Sequence, residues 1–344
     1  IKIYRSRRKL KKGMKIFMKI LFIGTPDFAK ESLEALYEAG FQIVGVVTNI
    51  DKPKGRGMKM QMSPVKEYAL SKNLDVYQPE KVRNNQEFLE KMKSLDIDLM
   101  CVVAYGKILP QEILNVPKFG AVNVHGSLLP KLRGGAPIHK AIMYGYLKTG
   151  ITIMYMDKGM DTGDMILTKK VEIGRDETTG ELWERLSKVG AELLVQTVKE
   201  IEQGKAIRIP QPAEGTMAPM LSKEMAKIDF ENKSAQEIKN LVRGLNPIMG
   251  AYTMLNGKKV KFWKVQTISV DELINKFDEL EEYSYHLKDV TPGTVLFADD
   301  KKGLFINCKD GILQVLEIQG ENAKKMNIND FLRGNKIEAG SIFE

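Results

Sequence analysis

Three polar side chains in this chain of 344 residues have the types and spacing to act together on a carbonyl group. Asn123 and His125 stand two positions apart in Ala-Val-Asn-Val-His, residues 121–125, which reads as a strand. Side chains two apart on a strand leave from one face, so an amide and an imidazole are set side by side just before Gly126. Donors placed in this way stabilise charge that develops on a carbonyl oxygen under attack. The third group is a carboxylate from the loop 157–164, where Asp157, Asp161 and Asp164 are interspersed with Gly159 and Gly163. A carboxylate on such a loop can reach an imidazole, orient it and help hold its proton. The residues alone leave blander uses open. An Asn and His pair also satisfies buried backbone groups, and loop aspartates also make turns. The spacing does not fit an EF-hand, because no distal bidentate Glu follows in register.

These groups need a frame, and the chain from Met18 onward alternates short apolar runs with amphipathic stretches, the pattern of parallel βαβ units. Residues 19–24 read as a buried strand followed by a helix, with Thr25 placed to cap it and Pro26 at its first position. Further strands are expected at 43–48, 99–104, 121–125, 151–156 and 165–173. Helices are expected from Ser63-Pro64, over 136–146, and over 179–203 behind the capping box Thr178-x-x-Glu181. An open α/β sheet binds its ligand beyond the carboxyl ends of the strands, which is where Asn123 and His125 fall. Three prolines and Gly215 mark 209–221 as a linker. Beyond it, the turn signal Asn256-Gly257 and weaker ones at 299–303 and 309–311 predict a small OB-like β-barrel over 222–344. The expected fold class is therefore α/β, a Rossmann-like open and mostly parallel sheet over 18–208, followed by that barrel.

Composition narrows the function classes. No apolar run approaches the ~20 residues needed to span a bilayer, so no membrane association is expected. Cys101 and Cys308 are far apart, and with only His125, His139 and His286 they give no metal-ligand spacing; no metal is expected. The net charge of +9 is concentrated in residues 1–17, which carry eight basic residues and no acid, leaving 45 basic against 44 acidic residues elsewhere. Bulk charge therefore says little about the folded body, and the extension is expected to be disordered and dispensable. The segment 271–289 carries seven acids and reads as a solvated insertion loop or surface helix. The first strand ends in Gly24-Thr25-Pro26-Asp27, with one glycine and an acid that would repel a pyrophosphate, which argues against a nicotinamide enzyme.

The motif Asn123-Val124-His125-Gly126-Ser127-Leu128-Leu129-Pro130, followed by the Met160-Asp161-Thr162-Gly163-Asp164 loop, resembles the formyltransferases that use 10-formyltetrahydrofolate. Four further stretches resemble the branch acting on methionyl-tRNA: Gly24-Thr25-Pro26-Asp27-Phe28, the loop from Asp51 to Gly57, Val103-Ala104-Tyr105-Gly106, and Arg133-Gly134-Gly135-Ala136-Pro137. The likeness runs from Met18 to near the C-terminus and is looser in the barrel. It implies a catalytic trio of Asn123, His125 and Asp161, a folate-binding turn at Ser127, Leu128, Leu129 and Pro130, and 10-formyltetrahydrofolate as formyl donor without a metal. It also implies that the amine of initiator methionyl-tRNA accepts the formyl group to begin protein synthesis. A cytoplasmic monomer is expected.

The loop after the second strand holds Lys52, Lys54, Arg56 and Lys59, with Gly55 and Gly57 allowing close backbone approach. Such runs are commonly just solvated, but the resemblance makes this one the family's acceptor-stem reader, with Arg56 at its arginine position. Lys258, Lys259, Lys261 and Lys264 around Phe262 and Trp263 form the one dense basic cluster of the barrel. Strand alternation sets Lys259, Lys261 and Trp263 on one face and Lys258, Val260, Phe262 and Lys264 on the other. Two rivals keep part of this reading: formylation of glycinamide ribonucleotide or an amino-sugar nucleotide, and RNA binding on a catalytically silent scaffold.

Overall fold

The computed structural model describes residues 18–54, 58–277 and 289–344. The basic extension 1–17 and Arg56 lie outside these residues, as do Asp278, Glu279, Glu281 and Glu282 of the acidic segment. The first elements are β1 (Lys19–Gly24), α1 (Asp27–Glu38), β2 (Gln42–Val47), β3 (Lys52–Lys54), β4 (Lys59–Gln61), α2 (Pro64–Ser71), β5 (Val76–Tyr77), α3 (Gln86–Ser94), β6 (Leu99–Val103), α4 (Gln111–Leu114) and β7 (Ala121–His125). Then follow α5 (Pro137–Met143), β8 (Lys148–Tyr155), β9 (Met165–Glu172) and the long α6 (Thr179–Glu202).

Seven strands form one sheet in the order β5-β2-β1-β6-β7-β8-β9. The pairs β1/β2, β1/β6, β2/β5 and β6/β7 are parallel, while β8 and β9 form an antiparallel hairpin. The fold is thus α/β with a mostly parallel, Rossmann-like sheet. β1 and β6 are buried nearly throughout, which is why both read as unbroken apolar runs rather than alternating ones. Cys101, inside β6, is fully buried, and desolvation raises its thiol well above the ordinary range.

By contacts the chain divides into two compact units, one holding residues up to Asn123 with Leu194–Ala206, the other Val124–Leu193 with Ile207–Glu344. The second unit carries α7 (Ala235–Gly244), β10 (Ala251–Leu255), β11 (Lys258–Ile268), α8 (Val270–Lys276), β12 (Val295–Asp299), β13 (Gly303–Asn307), β14 (Ile312–Gln319), β15 (Met326–Asn327) and α9 (Ile328–Gly334). These strands make an antiparallel sheet, β10-β11-β14-β13-β12, with β15 paired to β14. The last residues link its two ends: Glu344 exchanges backbone hydrogen bonds with Met254, while Phe343 and Val295 bond to Gly293 and Ser341. Ile228, Phe230, Phe262, Leu313, Val315 and Phe343 fill the interior. The β10–β11 turn is made by Asn256 (φ 50°) and Gly257 (φ 73°), the paired positive angles that a two-residue hairpin requires.

Local signals mostly act as their chemistry dictates. Ser63 caps α2 by accepting the Lys66 N–H with Pro64 at the first position, and Ser234 and Glu237 close a capping box on α7. Thr25 does not cap α1. The N-cap is Pro26, and the Thr25 hydroxyl instead accepts the Asn49 side-chain amide at 3.0 Å. In β11, bulges on either side of Lys264 break the alternation, so Val260, Phe262 and Val265 point inward and Lys264 is exposed rather than sharing their face. Segment 209–218 is pinned at many points. Ile209 pairs with Met165 through two 2.8 Å bonds, and Thr216 and Ala218 bond to Pro130, Arg133 and Ala136.

Candidate active site

β7 presents Asn123 and His125 from one face, two residues apart on the strand. Asn123 is half-buried, and its side chain has no hydrogen-bond partner among the described residues. It is a spare amide donor at a strand's carboxyl end. His125 is 4% exposed. Its Nε2 lies 2.9 Å from the carbonyl oxygen of Leu132, and its Nδ1 lies 3.5 Å from Asp161 Oδ2. Both ring nitrogens therefore face oxygen acceptors. A ring carrying two protons donates to both, and a neutral ring leaves one lone pair against an oxygen.

The Asp161 contact is longer than a well-formed hydrogen bond. The same Oδ2 accepts the Gly134 N–H at 2.7 Å. Gly134 can serve because it sits at φ 114°, and a Cβ there would lie 2.8 Å from the Ala218 carbonyl oxygen. Leu132, at φ 59°, aims its carbonyl at the ring. The turn over 131–135 thus supplies an acceptor for His125 and a donor for Asp161, roles that no residue type in the sequence announces. The motif beginning at Arg133 was the one available signal.

The turn after β7 is tied internally. The Ser127 hydroxyl donates to Lys131 O at 2.5 Å, and the Thr152 hydroxyl donates to Ser127 O at 2.8 Å while accepting the Leu129 N–H at 3.2 Å. Ser127 and Leu129 are buried, whereas Leu128 and Pro130 keep exposed surface. Of the four residues expected to meet folate, the serine hydroxyl is engaged in holding the turn, and the apolar sides of Leu128 and Pro130 remain accessible.

In the first unit, the motifs around Thr25, Asn49 and Tyr105 converge on one polar knot. The Asn49 amide donates to Thr25 Oγ1 and to Tyr105 O at 2.9 Å, and Thr48 and Ser63 share a 2.9 Å hydroxyl contact. Asp51 accepts from Lys66 at 2.7 Å and Gln78 at 2.8 Å, and the Lys66 bond above all holds its carboxyl below the usual range. From there the chain enters the β3–β4 ribbon, with Lys52 opposite Gln61 and Lys54 opposite Lys59. Lys52 is exposed, as are Met58, Met60 and Met62. Among the described residues, no group of three or more His, Cys, Asp or Glu is gathered to hold a metal ion, and no helix is long and apolar enough to cross a membrane.

An open, mostly parallel sheet with a histidine and a carboxylate gathered at the carboxyl end of one strand, joined to an antiparallel β domain, defines the class: an α/β protein with a polar site suited to group transfer. The chain belongs to the formyl transferase family. The family's formyl transferase model matches residues 18–198, and its C-terminal domain model matches residues 220–336. The methionyl-tRNA formyltransferase of Caldanaerobacter subterraneus subsp. tengcongensis is 45% identical over 328 residues, 95% of this chain and 100% of that protein. That of Clostridioides difficile is 47% identical, covering 94% of this chain and 99% of its own. Among solved structures, an N-formyltransferase from Helicobacter canadensis, in complex with folinic acid and dTDP-3-aminofucose, superposes with a TM-score of 0.61 at 18% identity. The match covers 89% of this chain and all of that one, and at this identity it speaks to fold.

Proposed function

We propose that this protein transfers the formyl group of 10-formyltetrahydrofolate to the amino group of initiator methionyl-tRNA, giving N-formylmethionyl-tRNA for translation initiation. The observation that carries this reading is the meeting of His125 and Asp161 at 3.5 Å within a chain alike, over nearly its whole length, to methionyl-tRNA formyltransferases. When bound, the folate supplies the carbonyl carbon that accepts the amine. The chain's residues do the remainder. The Asn123 amide and a protonated His125 steady the carbonyl oxygen as it gains charge, contributing typically ~3–4 kcal/mol for one such donor. Asp161 orients the ring and takes part in moving the proton from the attacking amine toward N10 of the tetrahydrofolate, which leaves as the formyl C–N10 bond breaks.

Leu128 and Pro130 offer an apolar surface to a flat ring system, and Ser127 and Leu129 hold that surface in place. Lys52, Lys54, Arg56 and Lys59 would contact the acceptor end of the tRNA, where phosphate contacts position the substrate and base contacts specify it. Residues 18–208 would form the catalytic domain, with 209–221 joining it to a tRNA-binding domain over 222–344. The outward Lys259, close over the Tyr252 ring, and Lys261, near Trp263, offer that domain cations beside aromatic faces. We place the protein in the cytoplasm, since translation consumes its product there, and take it to act as a monomer.

An amino-sugar nucleotide acceptor is the second reading, since the Helicobacter canadensis protein of the same fold binds one. Purified protein given 10-formyltetrahydrofolate labelled in the formyl group decides between them. Label is expected on methionyl-tRNA, and its appearance on a dTDP-amino sugar or glycinamide ribonucleotide instead would replace the proposed acceptor.

A further inference from the structure

Arg133 is 7% exposed yet meets no carboxylate among the described residues. Neutral oxygens of a single segment take up its guanidinium instead. Nε and Nη2 donate to Gln211 Oε1 at 3.2 and 2.9 Å, Nη2 also to Pro212 O at 2.9 Å, and Nη1 to Ala213 O at 3.2 Å. The other end of the Gln211 amide turns the opposite way. Its Nε2 donates to the main-chain oxygens of Asp161 at 3.0 Å and Gly163 at 2.7 Å. The network fixes the amide's orientation, because a flipped group would set N–H against guanidinium N–H and oxygen against two carbonyls.

Both ends of this bridge lie next to the site. Gly134, which follows Arg133, gives its N–H to the Asp161 carboxylate, and Asp161 itself sits at φ 54°. That left-handed conformation disfavours a residue with a Cβ and persists where surrounding contacts fix it. The two carbonyls gripped by Gln211 are that of Asp161 itself and that of Gly163, two residues on. One amide therefore joins the loop bearing the carboxylate to the turn bearing its N–H donor, and it comes from a stretch that in sequence reads as a connector.

We propose that Gln211, backed by Arg133, is a positioning residue for formyl transfer. It holds the Asp161 main chain so that the carboxylate faces His125 Nδ1 rather than turning to solvent. This rests on the role proposed above for Asp161. Gln211 touches no reacting atom and acts only through Asp161.

The test uses the full chain with methionyl-tRNA and 10-formyltetrahydrofolate, and compares Gln211→Ala, Gln211→Glu, Asp161→Asn and the double variant Gln211→Ala/Asp161→Asn. Gln211→Glu keeps an acceptor for Arg133, which preserves folding, but loses both donors to the Asp161 and Gly163 carbonyls. Each Gln211 variant is expected to lower kcat about 100-fold, the scale of an ångström-sized misplacement, with KM for both substrates little changed. The pH dependence of kcat/KM should shift as well. On the Asp161→Asn background, Gln211→Ala should cost nothing further, because the two act as a unit. If Asp161→Asn is crippled while Gln211→Glu keeps wild-type kcat and pH profile, the positioning role is overturned and the proposed reaction stands. Losses that multiply in the double variant would overturn the positioning role in the same way. Wild-type turnover by Asp161→Asn would instead remove the carboxylate from the mechanism, and this inference with it.

Discussion

The carboxylate oxygen of Asp161 that faces His125 Nδ1 at 3.5 Å is also the one that accepts the Gly134 N–H at 2.7 Å. The shorter contact anchors the carboxylate, and the longer one sets it beside the ring. That backbone donor helps set where the carboxylate stands relative to the imidazole.

His125→Ala should therefore abolish most transfer while the fold persists. The expected fall in kcat is about 10²–10⁴-fold, the range for removing a positioned acid or base. Single-turnover rates alongside thermal melts check this, and near-normal turnover would take the ring out of the reaction.

Gly134→Ala should damage both stability and rate. The added Cβ meets the Ala218 carbonyl oxygen at 2.8 Å, and φ 114° is unsuited to alanine. A loss of roughly 1–3 kcal/mol in urea unfolding is expected from such backbone strain. Gly40→Ala serves as control, since φ is positive there too but nothing lies within 4 Å of the new methyl. An equal loss of kcat in both variants would count against a special role for the Gly134 N–H.

Lys140 is 4% exposed, and among the described residues its ammonium meets only the Met225 sulfur at 3.3 Å and the Tyr144 ring. Burial lowers its pKa. Between that lowered value and the ordinary one near 10.5, the unfolded chain binds more protons, so stability rises with pH. Below the lowered value, the cost of burying the charge is fully present. Lys140→Met should therefore raise the melting temperature at neutral pH, and the gain should shrink as pH climbs toward 10.5. A melting temperature lowered at every pH would mean the ammonium is a net stabiliser.

Asp51 has the opposite sign. The hydrogen bond from Lys66, with that from Gln78, depresses its carboxyl. Its contribution is present above the ordinary carboxylate pKa and is lost as pH falls through the depressed one. Asp51→Asn should lower the melting temperature at pH 7, and the gap from wild type should close in acid. A gap independent of pH would show that packing, not charge, underlies it.

Lys52 is exposed on the β3–β4 ribbon, and Arg56 belongs to the same loop in sequence. Lys52→Ala should weaken methionyl-tRNA binding and reduce the slope of log K against log salt by about 1 if it meets a phosphate. Arg56→Ala should weaken transfer to methionyl-tRNA far more than it affects KM for the folate. Equal losses for both substrates would argue for a general effect on the fold.

The parallel sheet was legible because it is built around runs such as β1 and β6 that are apolar at nearly every position, as strands covered on both faces by helices must be. Asn123 and His125 could be paired because strand periodicity alone puts alternate side chains on one face. The Asn256-Gly257 turn and the Ser234 capping box were equally local, since each depends on residues within a few positions of one another. Beyond that range, the residues suggested one distant pairing, a carboxylate of the 157–164 loop with His125, and little else. Thr25 looked like a helix cap, but its hydroxyl accepts from the side chain of Asn49, 24 residues away. Alternation set Lys264 on the face of Val260 and Phe262 until bulges in β11 shifted its phase. Above all, the bridge from Gln211 to Asp161 spans 50 residues and the one to Arg133 spans 78. A glutamine among prolines carries no mark of the carbonyls it will meet. Side-chain types and periodicity determined which groups could do chemistry and on which strand they stand. Only the folded chain decided how they are held, because hydrogen bonds between distant segments depend on where the backbone returns.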